Sequence, residues 1–176
     1  MSRCQYCDAA KGKADVIYED DKLVAFLAEK PATDGHIIVV PKKHYQIVEQ
    51  IPDFELAYLF NTVNKLSIAA FEGVKAQGSN IIVQNGVAAG QTIPHVSVHI
   101  IPRNEKDNLN FQWQPKQLTE EQMSTVELQL KEGSKNVGQF QLEEKKEPIK
   151  LKKKVKKIKA EEKAEDYMIK QLERIP

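Results

Sequence analysis

Residues 94–102 read Pro-His-Val-Ser-Val-His-Ile-Ile-Pro, and this alternation dictates how the rest of the chain can be arranged. Successive side chains of an extended strand point to opposite faces, so His95, Ser97 and His99 share one face while Val96, Val98 and Ile100 share the other. The apolar face requires a core behind it, and the polar face is left to form a site. A single strand histidine is commonly a hydrogen-bonded structural residue. Two on one face, following a glycine turn and a strand-initial proline, point to chemistry.

The flanking text supplies elements for such a core. Residues 16–19 and 23–27 are short β-prone runs separated by Asp20-Asp21, which predicts a hairpin. After the loop at 31–35, residues 36–40 form a near-continuous apolar run ended by Pro41, the pattern of a buried central strand. Asp53 is a suitable N-cap for a long helix, because Leu56, Leu59, Phe60, Val63, Leu66, Ala70 and Phe71 keep helical spacing up to Gly73. Residues 79–84 read as a strand, Asn85-Gly86 through Gly90 as a turn, and 95–101 as the last strand. Thr119-Glu120-Glu121-Gln122 opens a second helix reaching about Lys135. The pattern predicts an α+β fold, a mainly antiparallel sheet of about five strands with one long helix and a C-terminal helical extension. Residues 1–104 make the domain, 105–144 a polar segment with a helix, and 145–176 a basic extension.

A chain of 176 residues with 41% hydrophobic content supports one compact domain plus an appendage. No run approaches the roughly 18 apolar residues of a membrane-spanning helix. Residues 1–8 lack the apolar core of a secretory signal, so a cytoplasmic location is expected. That compartment keeps thiols reduced, which makes Cys4 and Cys7, spaced C-x-x-C, a metal half-site or a redox pair before a structural disulfide. The net charge of +1 hides a split: residues 1–144 carry −5 and residues 145–176 carry +6. Seven lysines lie between positions 150 and 159. Leu151, Val155 and Ile158 recur at helical spacing there, so an amphipathic helix packing on a partner competes with binding of an acidic protein or nucleic acid. Interleaved aromatics for base stacking are missing from this stretch.

The run Gly90-Gln91-Thr92-Ile93-Pro94-His95-Val96-Ser97-Val98-His99-Ile100-Ile101-Pro102-Arg103 resembles the signature of the histidine-triad (HIT) family of nucleotidyl hydrolases and transferases. Asp34-Gly35-His36 through Pro41-Lys42, the long helix, and Gln84-Asn85-Gly86 agree in order and spacing, so the resemblance covers about residues 3–104. It implies a homodimer and a purine nucleotide as ligand, of the dinucleoside polyphosphate or nucleoside phosphoramidate class. Its parent activity is hydrolysis or transfer at the α-phosphate through a nucleotidyl-histidine intermediate. It assigns His99 and His36 to the phosphate oxygens and leaving group, Gln84, Asn85, Gly90 and Gln91 to the nucleotide, and Phe26 and Leu27, with Ile17, to the base pocket.

Two positions depart from the family pattern. The middle histidine, the nucleophile, is Ser97 here, and the position that usually carries a ribose-binding Asp or Asn is Ala28. A neutral imidazole near pH 7 is nucleophilic and forms a labile phosphoramidate, whereas a serine hydroxyl is un-ionised and shorter. The chain is therefore expected to bind nucleotide and turn over very slowly. A single substitution made to trap a ligand and a natural nucleotide sensor or adaptor that lost catalysis both fit. The resemblance also implies the missing metal ligands: Cys4, Cys7, His44 and His95 would form a closed structural zinc site that tethers the N-terminal segment to the site strand.

Overall fold

The computed structural model describes residues 4–135 and 137–138. The lysine-rich run at 150–159 and the rest of the basic extension lie outside the described residues. Five strands form one sheet in the order β1-β2-β3-β5-β4: β1 Val16–Glu19, β2 Leu23–Leu27, β3 Ile37–Pro41, β4 Gly78–Val83 and β5 Val98–Arg103. Every neighbouring pair is antiparallel. A short helix α1 (Gln5–Asp8) continues into one wider turn at Ala9–Lys13, the long helix α2 spans Asp53–Val74, and α3 spans Glu120–Gly133.

The sheet buries both faces, and the division follows the alternation of its strands. Ala25, Val39, Val98 and Ile100 pack with Leu59, Val63, Leu66 and Ala70 of α2. These helix residues recur three and four apart, which makes one continuous stripe. Leu59 is 1% exposed, a position where truncation to alanine ordinarily costs about 2–5 kcal/mol. On the opposite face Val24, Phe26, Ile38 and Val40 pack with Ala9, Tyr6, Ala10 and Ala14 of the N-terminal segment. Without that segment this second face, which carries the histidine row, would stand uncovered.

Three details differ from the sequence reading. Asp53 is the first residue of α2, and Pro52 holds the cap position with no side-chain cap bond. Pro suits a helix start because its missing N–H is one of the donors left unpaired there. Pro41 ends inside β3, paired with Leu23, and does not stop it. The last strand starts at Val98, three residues later than expected, and runs to Arg103. His95 sits in a bend, and Val96 N–H donates to the Tyr45 carbonyl in the loop after β3. The second helix, α3, opens where expected, and a capping box between Thr119 and Gln122 closes its first turn.

Gly35 must be glycine. Its φ of +79° lies in the left-handed region, and an added Cβ would sit 2.8 Å from Val74 Cγ1. That close approach seats the turn before β3 against the end of α2 and so places His36.

Candidate functional site: a histidine row beside a cysteine–histidine cluster

Pairing across β3 and β5 sets the first part of the site. Ile38 stands opposite His99, so His36, two residues before Ile38 on the same face, is diagonal to His99. Ala32 N–H donates to His36 Nδ1 at 3.1 Å. His36 Nε2 lies 3.0 Å from His99 Nδ1, and His99 Nε2 lies 3.2 Å from Ser97 Oγ. A backbone amide can only donate, so it fixes each tautomer in turn. His36 carries its proton on Nε2 and gives it to His99 Nδ1, and His99 in turn donates from Nε2 to the serine oxygen.

Burial holds both rings neutral. His36 is pushed down to about 4 by burial first and by the neighbouring His99 second, and burial pushes His99 down as well. A histidine whose pKa is lower in the folded than in the unfolded chain stabilises the fold fully above the unfolded value, and that contribution disappears as pH falls through the folded one. For His36 the window runs from about 6.5 down to about 4. Stability in urea is expected to decline across it, and more steeply in the unmodified protein than in His36→Gln. Parallel pH profiles for the two proteins would show that His36 is not held neutral by the fold.

The second part lies one strand position away. Cys4, Cys7, His44 and His95 offer ligand atoms that all lie within 4.8 Å of one another. His95 Nδ1 is 3.4 Å from Cys4 Sγ and 3.5 Å from Cys7 Sγ, and His44 Nδ1 is 3.3 Å from Cys7 Sγ. A tetrahedral ion with metal–sulfur bonds of about 2.3 Å and metal–nitrogen bonds of about 2.0–2.1 Å would set sulfur and nitrogen about 3.6 Å apart. The observed edges approach that value. Both cysteines are free thiols.

His95 is prepared for ligation from behind. It is fully buried, and its Nε2–H donates to the Pro41 carbonyl at 2.9 Å, which leaves the Nδ1 lone pair facing the thiols. Burial lowers its pKa, so the ring is neutral as a ligand must be. The Cys7 thiol is pushed up by burial and by the adjacent Cys4, which outweigh the opposing pull of Lys11. A bound cation would reverse that preference.

Between the N-terminal segment and the sheet lies a cavity of about 910 Å³ bordered by Tyr6, Phe26, Ala28, His36, Ile38, Thr92, Ile93 and His99, with Glu29 and Lys30 among its polar residues. Such a volume accommodates a drug-sized ligand. Several expected residues stand elsewhere. Phe26 lines the cavity, so Leu27, the next residue of the strand, turns to the other side and is 42% exposed. Ile17 is 47% exposed on β1 and borders no part of the cavity.

Asn85 accepts from Val48 N–H and donates to Glu49, while Gln91 accepts from Gly86 N–H and donates to the carbonyls of Gln46 and Ile93. Both amides brace the loop and are not among the cavity's lining residues. Gly90, at φ +89°, leaves room for the Gln84 amide, which would lie 2.8 Å from an added Cβ. Tyr6, Ile38, Thr92 and Ile93 were not singled out from the sequence. Ile38 and Ile93 read there as ordinary apolar residues, whereas Tyr6 carried a signal in its place between the two cysteines.

A family model described as "HIT domain" matches residues 10–106. The adenylylsulfatase HINT3 of Arabidopsis thaliana is 36% identical over 108 residues, 60% of this chain and 55% of its own, so the chain spans about half the length of that relative. Among solved structures, SMU.412c from Streptococcus mutans UA159 superposes with a TM-score of 0.71 at 30% identity, covering 76% of this chain and 86% of that one. A zinc-bound histidine triad family protein from Mycobacterium smegmatis superposes with a TM-score of 0.58 at 32% identity, covering 74% and 96%.

Proposed function

The chain belongs to the HIT-domain family, and on that premise we propose that it binds a purine nucleotide in the cavity above the histidine row, with its α-phosphate beside Ser97. The observation that carries this reading is the hydrogen-bonded row His36, His99, Ser97, whose two histidines line a cavity together with Phe26 and Ile38 of the same sheet face and with Tyr6 across from them. An aromatic and an aliphatic side chain suit the faces of a base, and the polar row suits a phosphate. Substrate class follows the family: a dinucleoside polyphosphate or a nucleoside phosphoramidate, attacked at the α-phosphorus.

Ser97 is not an alternative nucleophile in this row. Activation of a hydroxyl needs a base with an unprotonated nitrogen facing it. Here the Ala32 amide sets the row so that His99 presents Nε2–H to the Ser97 oxygen. The tautomers would all have to reverse against a backbone donor that cannot. The single N–H of His36 is spent on His99 and that of His99 on Ser97, so the row orients the Ser97 hydroxyl and does not deprotonate it.

Cys4, Cys7, His44 and His95 are assigned to a structural zinc ion. Their separations, the buried Nε2–H to Pro41, and the zinc-bound relative support this. Four protein ligands leave no open position, so the ion would hold α1 against the site strand.

Titration calorimetry with AMP tests the reading: one AMP per chain with no release of adenosine is expected. Absence of binding to AMP and to a diadenosine polyphosphate would overturn it. The same family reading carries a homodimer through α2 and the edge strand β4, which expose Phe60, Ile68, Phe71 and Ile81. Sedimentation at about twice the 20.0 kDa chain mass is expected, and a monomer at micromolar concentration would remove that part.

A further inference from the structure

The turn that carries the two cysteines delivers one side chain into the histidine row for which the metal has no use. Tyr6 stands between Cys4 and Cys7, and its ring centroid lies 5.9 Å from that of Phe26 and 6.1 Å from that of His95. Its phenol is within hydrogen-bonding reach of the Ser97 hydroxyl. It also lines the cavity together with His36 and His99.

The row has a direction, and Tyr6 stands at its end. The Ala32 amide donates to His36, His36 to His99, and His99 to the Ser97 oxygen. Each neutral member has one hydrogen, and each acceptance turns that hydrogen onward. With its oxygen taken by His99, the Ser97 hydroxyl has its hydrogen free to turn to the Tyr6 oxygen, which leaves the hydrogen of Tyr6 for the cavity that Tyr6 lines.

We propose that Tyr6 is a phosphate-binding residue, the terminal donor of a one-way relay anchored at the Ala32 amide, and that it gives its O–H to a phosphate oxygen of the bound nucleotide. This rests on the nucleotide reading above and adds the group that distinguishes a nucleotide from a nucleoside. A neutral hydroxyl donating to a phosphate forms a short, charge-assisted hydrogen bond. A chain of aligned hydrogen bonds polarises its last member, which strengthens that donation. Packing between Phe26 and His95 in a turn closed by the cysteine–histidine cluster holds the phenol in place before the ligand arrives. The row then serves to grip a phosphate, and no proton needs to be passed along it.

The test is calorimetric titration of the zinc-loaded full chain with AMP and with adenosine, beside the variant Tyr6→Phe, with zinc per chain measured in each preparation. The unmodified protein is expected to favour AMP over adenosine. Tyr6→Phe is expected to weaken AMP about tenfold, the ordinary value of one hydrogen bond to a charged group, while adenosine affinity stays within about twofold and zinc stays at one per chain. Unchanged AMP affinity in Tyr6→Phe overturns the proposal and leaves the nucleotide reading standing. An equal loss for AMP and adenosine overturns it too, because it would show a packing role against Phe26. No AMP binding by the unmodified chain brings down both. Should Tyr6→Phe lose its zinc, Ser97→Ala removes the hydroxyl that orients the phenol and leaves the turn intact. It is expected to weaken AMP about threefold with adenosine unaffected, and unchanged AMP affinity in that variant overturns the proposal.

Discussion

Ser97→His is expected to raise hydrolysis of a nucleoside phosphoramidate or a diadenosine polyphosphate by a factor on the order of 10⁴ or more, since removing a nucleophile costs enzymes about that much or more. A ring at position 97 points to the same face as His99 and His36, the two histidines that line the cavity. Its free nitrogen can form the bond to the α-phosphorus as the bond to the leaving group breaks, and water then cleaves the phosphorus–nitrogen bond. Ser97→Ala serves as the control and is expected to hydrolyse as slowly as the unmodified chain, because the serine is not an activated nucleophile. A Ser97→His protein that folds, binds AMP and stays within tenfold of the starting rate would exclude a silenced enzyme. The chain would then be a nucleotide sensor, the reading that Ala28 at the ribose position favours.

Removing the metal is expected to have the next largest effect, and on two observables at once. Cys4 and Cys7 lie in a four-residue helix and its cap, with no buried residue among Gln5–Asp8. Isolated turns of this length are not stable in water. On the zinc assignment proposed above, the tether to His95 and His44 would supply much of what holds the segment over the second sheet face. Chelation, or Cys7→Ser, is expected to lower the melting temperature by about 10 °C, equivalent to a few kcal/mol for a domain of this size. It should also abolish AMP binding, since Tyr6, Ala9 and Ala14 form one side of the cavity. Circular dichroism melts and AMP titration before and after chelation provide the measurement. An unchanged melting temperature with zinc demonstrably removed would show that the cluster does not tie the segment down.

The histidine row and the metal cluster differ in how much of each the sequence disclosed. Local patterning located β1, β2, α2 and the start of α3 because those signals lie within a few residues of one another. It also placed His95, Ser97 and His99 on one face, and that alternation survives although β5 starts only at Val98. Leu27 stands outside the cavity because only the sheet partner decides which face of a strand looks into it. Asn85 and Gln91 brace the loop because an amide suits a phosphate and a backbone carbonyl equally. The fold had already committed theirs to Gly86, Val48, Gln46 and Ile93.

By itself the sequence determined what is local: which segments form strands and helices, which side chains share a face, that four histidines and two cysteines are all this chain has for such chemistry, and that position 97 is a serine. The tertiary structure alone decided what is relative. Cys4 meets His95 across ninety-one positions and His36 meets His99 across sixty-three. The direction of the hydrogen-bond row depends on a single amide, that of Ala32, which nothing in its side chain announces. Backbone donors carry no residue-specific signal, so their part in a site is invisible until the chain has folded around them.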